Sequence, residues 1–182
     1  MNRMQRIVVR HARPLIAPGI CYGVLDIPAD SQETNFAARA LAPQLPGGFL
    51  ALVSPLQRCR QLADALQLLR SDGVFTFEPR LAEMDFGQWE GVAWADIPRE
   101  AVDAWTADFA RHRFGGKESA GDFLRRVSKV WDEAPGAALW ITHAGVARAA
   151  MLIASGIREI ERADQWPLTA PAYGELMTLQ VD

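Results

Sequence analysis

Two of the three histidines in the chain directly follow short apolar runs that have the composition of buried strands. His11 comes after residues 7–10, IVVR, and His143 comes after residues 139–142, LWIT. Because ligands of open α/β sheets collect outside the carboxyl ends of the strands, an imidazole at such an end is placed for chemistry. Arg10 can serve the same pocket as His11 if the strand stops there, since adjacent side chains of a continuing strand point to opposite faces. The alternatives are a surface histidine at an ordinary strand end and a histidine that only caps a helix.

A third apolar run, residues 49–53, ends in Ser54-Pro55, and Arg58 follows one turn into a predicted helix. From that turn the guanidinium can reach the same edge of the sheet, although a lone arginine more often lies on a solvated helix face. Arginine offers paired donors to phosphate oxygens and stays charged at physiological pH. Histidines and arginines that converge on one sheet edge have the chemistry of phosphate handling, because negative charge on phosphate oxygens needs fixed donors.

Three carboxylates lie in one segment, residues 81–91, LAEMDFGQWEG, which is crowded with apolar side chains. Partial burial of Glu83 there would raise its pKa towards neutrality, which is what a general acid needs. Asp85 and Glu90 lie close by, and spacing alone does not choose among the three. All three are also compatible with loop carboxylates in water.

The rest of the pattern alternates strands and helices. We predict strands over residues 5–10, 49–53, 74–77, 137–142 and 173–181, and helices over residues 31–45, 55–71, 99–111, 119–133 and 145–155. Continuous apolar strands separated by amphipathic helices indicate a mostly parallel sheet that is covered on both faces. The sequence therefore predicts an α/β fold in which the last strand lies at an edge of the sheet.

Length, charge and cysteine content restrict the class of protein. At 182 residues the whole chain, 1–182, is predicted to form a single domain. A formal net charge of −3 gives no basic surplus, so nucleic acid is not an expected partner. The N-terminus lacks the features of a secretory signal and no apolar run reaches membrane-spanning length, so no membrane partner is expected. Cys21 and Cys59 have no zinc-site spacing, which predicts a cytoplasmic protein with free thiols and no metal.

Four segments together resemble the histidine phosphatase superfamily, also called the phosphoglycerate mutase-like family. They are Arg10-His11-Ala12, Ser54-Pro55-Leu56-Gln57-Arg58, Leu81-Ala82-Glu83 with Gly87-Gln88-Trp89-Glu90-Gly91, and Thr142-His143-Ala144-Gly145. Each segment is short, but all four occur in the order of the family and span nearly the whole chain. The resemblance implies a phosphoglycerate mutase-like three-layer sandwich, with a mostly parallel central sheet, helices on both faces and an antiparallel edge strand.

The resemblance also implies a role for each matching residue. His11 would be the nucleophile that takes the phosphoryl group, and Glu83 would be the proton donor to the leaving alcohol. The phosphate oxygens would be held by Arg10, Arg58, His143 and Ala144. The implied activity is that of a phosphomonoesterase without metal or cofactor, which acts on a small phosphorylated metabolite through a phosphohistidine.

The chain is shorter than the mutases of the family and is similar to the small branch that includes α-ribazole-5′-phosphate phosphatase of cobalamin biosynthesis. The similarity is carried by residues 83–90, EMDFGQWE, and by Trp105, Glu118-Ser119 and residues 125–127, RRV. The expected partner is therefore a small phosphate ester, and a homodimer is kept among the expected assemblies. One hypothesis is that a flat base stacks on one of three tryptophans, Trp89, Trp94 or Trp105.

Three other functions stay open on the sequence. A phosphoglycerate mutase-type phosphoryl transferase would use the same residues. A metal-dependent hydrolase would combine His11 and His143 with acidic ligands, but no close-set His/Asp pair occurs. A catalytically silent phosphate binder is suggested by Ala12, where the family has glycine, and by Ala17, where many members have asparagine. The presence of all five central residues argues against the silent binder.

Overall fold

The computed structural model describes residues 4–181, which form one five-stranded sheet with five α-helices. The strands are β1 (Met4–Arg10), β2 (Leu50–Val53), β3 (Val74–Phe77), β4 (Leu139–Thr142) and β5 (Leu176–Val181). The α-helices are α1 (Ser31–Leu41), α2 (Gln57–Leu69), α3 (Arg99–Ala107), α4 (Ala120–Glu133) and α5 (Ala144–Ala154). Short 3-10 helices cover Ala42–Gln44, Pro79–Leu81, Gly87–Trp89, Trp94–Asp96 and Ala163–Gln165.

The sheet order is β3-β2-β4-β1-β5. Strands β3, β2, β4 and β1 run parallel, while β5 pairs antiparallel with β1 at one edge. The carboxyl ends of the four parallel strands therefore share one edge of the sheet, where the sequence analysis places the two histidines. The prediction of a mostly parallel sheet with an antiparallel edge strand is confirmed.

Alternate residues of the inner strands face opposite layers of helices. Val9 and Ile141 pack with α1 and α2 on one face, whereas Val8 and Trp140 pack with α4 and α5 on the other. This period of two is what a strand buried on both faces requires. The result is the expected three-layer sandwich. In the range 4–181, no helix combines the length and the apolar content that a bilayer crossing needs.

The helix predicted over 55–71 is shorter at both ends and covers Gln57–Leu69, and two other predicted helices end earlier than expected. The first is predicted over 31–45, but α1 ends at Leu41 and the chain tightens into a 3-10 turn, because Pro43 has no N–H to continue the α-helical hydrogen bonds. The second is predicted over 99–111, but α3 ends at Ala107. The chain turns there and buries Phe109 against Trp105, with ring centroids 5.3 Å apart. Tertiary packing thus ends α3 at a place that helical periodicity does not mark.

One arginine of β1 is fully buried. The Arg6 guanidinium donates to the carbonyls of Trp131, Ala134 and Pro135 at 3.0–3.2 Å and lies between the rings of Trp131 and Trp140. Burial lowers its pKa to about 10. The side chain therefore satisfies carbonyls at the C-terminal end of α4, which have no partner inside the helix.

Candidate active site

His11 lies immediately after the last residue of β1. Its N–H donates to the carbonyl of Thr142 in β4 at 3.0 Å, and the N–H of Gly174 lies 3.1 Å from the carbonyls of both Arg10 and His11. These bonds hold the strand end from two sides. Because β1 stops at Arg10, the side chains of Arg10 and His11 line the same cleft, as the sequence analysis required.

Two hydrogen bonds define the proton positions on the His11 ring. Nδ1 lies 2.6 Å from the carbonyl oxygen of Ala12, and Nε of Arg58 lies 3.2 Å from Nε2. A guanidinium N–H can only donate, so Nε2 is the acceptor and Nδ1 carries the proton. Burial lowers the pKa of His11 well below its usual value, the charge of Arg58 adds to this, and the Ala12 carbonyl opposes it. The ring is therefore a neutral imidazole with its lone pair on Nε2.

Arg58 lies behind His11 and is fully buried. It belongs to the first turn of α2, and its Nη1 and Nη2 donate to the carbonyls of Leu25 at 2.9 Å and Gly23 at 2.6 Å. Its Nε contacts His11, so three of the five guanidinium N–H groups are used and two remain. The prediction that Arg58 faces this sheet edge is confirmed, whereas Arg60, two residues later, is exposed.

His143 occupies the equivalent position at the end of β4 and is fully buried. Its ring centroid is 5.1 Å from that of His11, and its Nε2 lies 2.8 Å from the hydroxyl oxygen of Ser54. Burial lowers the pKa of His143 well below its usual value, and the charge of Arg58 lowers it further. The two imidazoles are therefore brought together as predicted, but His143 lies beside His11 and outside the cleft lining.

Among the three candidate carboxylates, Glu83 alone lines the cleft with His11. Its Oε2 accepts the N–H of Gly145 at 2.9 Å and its Oε1 that of Met84 at 3.1 Å. Asp85 lines a different hollow and accepts the N–H of Gly87. Glu90 accepts four backbone N–H groups, those of Gly23, Val24, Leu25 and Phe86. The geometry thus selects Glu83 and gives the other two structural tasks.

Glu83 is fixed from two directions. A Cβ added at Gly145 would lie 2.2 Å from Glu83 Oε1, so only glycine lets the carboxylate approach the start of α5. From the other side, the Arg126 guanidinium donates to the carbonyls of Arg80, Ala82 and Glu83 at 2.6–2.9 Å. The carboxylate therefore sits on a clamped backbone and not on a free loop.

The cleft is a cavity of about 400 Å³ whose walls are mostly apolar and aromatic. Trp94 and Trp105 contribute to these walls, and each stacks on Phe114, with ring centroids 5.8 and 4.5 Å away. Trp89 is not part of the lining, so two of the three proposed stacking residues line the cleft. The other apolar walls are formed by Ile20, Met84, Phe86, Phe109, Ala120, Phe123, Ala163, Trp166 and Leu168.

Several cleft residues escaped the sequence analysis. Arg148 lines the cleft and could have been found, since it follows Gly145 by three residues and so shares its face of α5. Tyr22 also lines the cleft, and its hydroxyl is 3.0 Å from that of Tyr173. The Arg10 guanidinium carbon lies over the Tyr173 ring, 3.8 Å from the centroid of that ring. No local pattern marks these tyrosines, because their contacts join distant parts of the chain.

Metal ligands are not grouped near this site. Among residues 4–181, no three or more His, Cys, Asp or Glu side chains come together as a metal ion would require. Positive charge in and around the cleft comes from arginines instead, two of which, Arg10 and Arg148, line its wall.

The two buried neutral histidines predict a pH dependence of stability. In the unfolded chain each imidazole regains its usual pKa near 6.5 and binds a proton that the native state does not bind. Their contribution is therefore complete above pH 6.5 and is lost as the pH falls below it. Between pH 6.5 and 5.5 we expect each histidine to lower the free energy of unfolding by about 1 kcal/mol.

Urea denaturation at these two pH values measures the effect. In each of the variants His11→Gln and His143→Gln, the free energy of unfolding should fall by about 1 kcal/mol less than it does in the parent chain. Gln67→Ala, on an exposed face of α2, serves as a non-titrating control. An identical pH dependence in all four proteins would show that the two rings titrate normally in the folded state.

Comparisons with known proteins identify the family and the fold. The family model described as histidine phosphatase superfamily (branch 1) matches residues 7–180. A protein described as mycobacterial hydrolase 2 superposes with a TM-score of 0.78 and 21% identity, over 98% of this chain and 82% of that chain. Mycobacterial glucosyl-3-phosphoglycerate phosphatase gives a TM-score of 0.77 and 20% identity, over 97% and 90%.

A further solved structure, TTHB049 from Thermus thermophilus, has a TM-score of 0.72 and 27% identity, over 96% of this chain and 92% of that chain. No curated protein matches the sequence with significant similarity. The match to the family model covers nearly the whole chain, and the superposed structures share its fold. The chain therefore belongs to branch 1 of the histidine phosphatase superfamily.

Proposed function

We propose that this chain is a metal-independent phosphomonoesterase that forms a phosphohistidine on His11. The observation that carries the proposal is the state of the His11 ring, which is neutral, has its lone pair on Nε2 and is fixed by the hydrogen bond from Nδ1 to the Ala12 carbonyl. A neutral imidazole is the nucleophilic form of histidine. As Nε2 forms a bond to phosphorus, the ring becomes positive, and the Ala12 carbonyl stabilises that charge.

The groups around Nε2 are suited to the charge of a phosphoryl group. Nε of Arg58 lies 3.2 Å from Nε2, so a phosphorus atom attached there would bring its oxygens next to the guanidinium. If the Ser54 hydroxyl donates to Nε2 of His143, Nδ1 of that ring carries a proton and becomes a further donor. The N-terminus of α5 adds backbone N–H groups without partners in the helix. The proposed phosphate ligands are thus Arg10, Arg58, His143 and the N–H of Ala144.

Glu83 acts first as acid and then as base in this proposal. In the first step the Nε2–P bond forms and the P–O bond to the alcohol breaks, while the carboxyl of Glu83 gives its proton to the departing oxygen. In the second step the Glu83 carboxylate takes a proton from water, whose oxygen attacks phosphorus and breaks the N–P bond. Phosphate leaves, and His11 is again neutral.

The shape of the cleft supports a substrate with a flat apolar part. Trp94 and Trp105 lie in the wall next to the phosphate site, and Trp94 is 40% exposed at the surface. Planar groups stack favourably on such rings. We therefore propose α-ribazole-5′-phosphate as the candidate substrate within the class of small phosphate esters.

A cytoplasmic location is part of the same proposal. Cys21 and Cys59 are free and buried, and burial raises the pKa of both thiols to about 12. Thiols in this state have little thiolate character and need no oxidising compartment.

Replacing the nucleophile tests the mechanism. His11→Ala should lower kcat for a small aryl phosphate by at least about a thousandfold, because no other group in the cleft can take the phosphoryl group. The parent chain mixed rapidly with substrate and quenched should carry an acid-labile phosphate, and the variant should carry none. Activity of the parent chain should be unchanged by a chelator. Loss of activity on chelation would favour a metal-dependent hydrolase, and equal rates for parent and variant would favour a silent binder.

The general acid is tested through the leaving group. Glu83→Gln should slow phosphorylation by alkyl phosphates about 10²- to 10⁴-fold, because an alkoxide is a poor leaving group without a proton. Phosphorylation by 4-nitrophenyl phosphate, measured as the initial burst, should slow much less, since nitrophenolate leaves without help. Asp85→Asn is the matched control, because Asp85 lies nearby but outside the cleft. An equal loss with both substrates would argue that Glu83 only supports the structure.

The substrate proposal predicts selectivity for a flat base. We expect kcat/KM for α-ribazole-5′-phosphate to exceed that for ribose 5-phosphate by about tenfold or more, which corresponds to one aromatic stacking contact. Trp94→Leu should remove most of this difference and leave ribose 5-phosphate nearly unaffected. Equal kcat/KM values for the two esters, or a higher value for phosphoglycerate with transfer to a second alcohol, would overturn it.

A further inference from the structure

Arginines that are partly or fully buried outside the cleft donate several hydrogen bonds each, although Nε of Arg6 is shielded from solvent without an acceptor among the described residues. Outside the cleft lining, such side chains donate to backbone carbonyls, to a carboxylate or to a ring nitrogen, in each case through several of their N–H groups. The examples are Arg6, Arg58 and Arg126. The two arginines that line the cleft differ from these, because each donates a single hydrogen bond within residues 4–181. Arg10 is accounted for as a phosphate ligand, so Arg148 is the unexplained one.

Arg148 has little to hold it in the folded chain. Its Nη2 donates to the carbonyl of Leu168 at 3.2 Å, and its Nε is shielded from solvent without any acceptor among the described residues. Burial lowers the pKa of its guanidinium below the usual value, an effect that the nearby charge of Glu83 opposes. A shielded donor without a partner costs free energy and calls for a reason. A ligand that brings a hydrogen-bond acceptor to this donor would remove the cost.

The position of Arg148 on α5 assigns it to one part of the ligand. His143 precedes α5, Gly145 in its first turn holds Glu83, and Arg148 follows three residues later on the same face. In the proposed orientation the phosphoryl group lies at His11 and the ester oxygen at Glu83. In this orientation Arg148 lies on the side of the cleft where Glu83 meets the alcohol part of the ester.

Charge balance in the cleft points the same way. A phosphate dianion is matched by Arg10 and Arg58. When Glu83 holds the proton that it donates, no other carboxylate lines the cleft within residues 4–181, so the charge of Arg148 lacks a counter-ion. Arg148 is only partly buried, but a cation beside apolar side chains still gains from a counter-ion. A negative group on the alcohol would remove that cost at the step where the acid must keep its proton.

We propose that Arg148 is a specificity-determining residue, which binds a hydrogen-bond acceptor on the alcohol part of the substrate and binds an anionic oxygen group best. The orientation of the ester rests on the proposed phosphatase function. The ligand class is thus a phosphate ester whose alcohol carries an acceptor beyond the ester oxygen. Neutral acceptors, such as a ring nitrogen or a carbonyl, are bound less tightly than a carboxylate because only the latter forms a charge-assisted pair.

Binding to a chain that cannot turn over tests this directly. In a His11→Ala background, isothermal titration would compare phenyl phosphate, carbamoylphenyl phosphate and carboxyphenyl phosphate, with the substituent at ring positions 3 and 4. We expect affinity to rise in that order, with about ten- to a hundredfold between the first and the last. Adding Arg148→Met should make the three affinities nearly equal. The affinity for phenyl phosphate should change by less than about threefold. Arg148→Lys should keep part of the preference for the carboxylate.

Arg60→Met, on an exposed position of α2, is the control and should leave all three affinities unchanged. The proposal is overturned if the parent background shows no preference for the carboxylate, or if Arg148→Met weakens all three ligands equally. Circular dichroism of each variant identifies a folding defect. If Arg148→Met is misfolded, the Arg148→Lys variant decides, because it should keep part of the preference for the carboxylate. Because none of these measurements needs turnover, a failure of the phosphatase proposal would appear separately, as an absence of hydrolysis by the chain that retains His11.

Discussion

The hydrogen bonds that fix the His11 ring are the interaction on which the site depends. The Ala12 carbonyl accepts a hydrogen bond from Nδ1–H, and Arg58 donates one to Nε2. Only one tautomer and one ring orientation satisfy both partners. The same Arg58 is itself held by the carbonyls of Gly23 and Leu25. A change in the loop that holds Gly23 and Leu25 would therefore be felt at the nucleophile, although neither residue lines the cleft itself.

The site concentrates positive charge in arginine side chains, and the cost of doing so explains its architecture. Arg58 is withdrawn from water, and carbonyl oxygens replace the lost hydration. The two imidazoles stay neutral because burial lowers the pKa of each ring, and the positive charge of Arg58 lowers it further. A phosphate group is the natural complement of this arrangement, since it supplies the negative charge that the folded chain leaves out.

The sequence predicted the parts of the site that depend on strand ends and could not predict those that depend on distant contacts. The apolar runs before His11 and His143 marked both strands, and the parallel sheet brought their ends together. Residue spacing could not select Glu83 over Glu90, because Glu90 accepts hydrogen bonds from backbone N–H groups that are 65–67 residues away in the sequence. Arg6 in a buried strand was equally unpredictable, since its acceptors lie at the end of a helix more than a hundred residues later.

The departures from the family pattern bear on whether the cleft is competent. Ala12 replaces a glycine, and it lines a separate hollow against α1 and not the cleft wall. Ala17 is exposed and also lies outside the cleft lining. Arg13 pairs with Glu33 at the surface and contributes no charge to the cleft wall. The residues that would perform the chemistry are therefore present, because the substitutions fall outside them. The proposed specificity of this cleft comes from its aromatic wall and from Arg148, which forms no ion pair within residues 4–181, and in this proposal both act on the alcohol part of the ester.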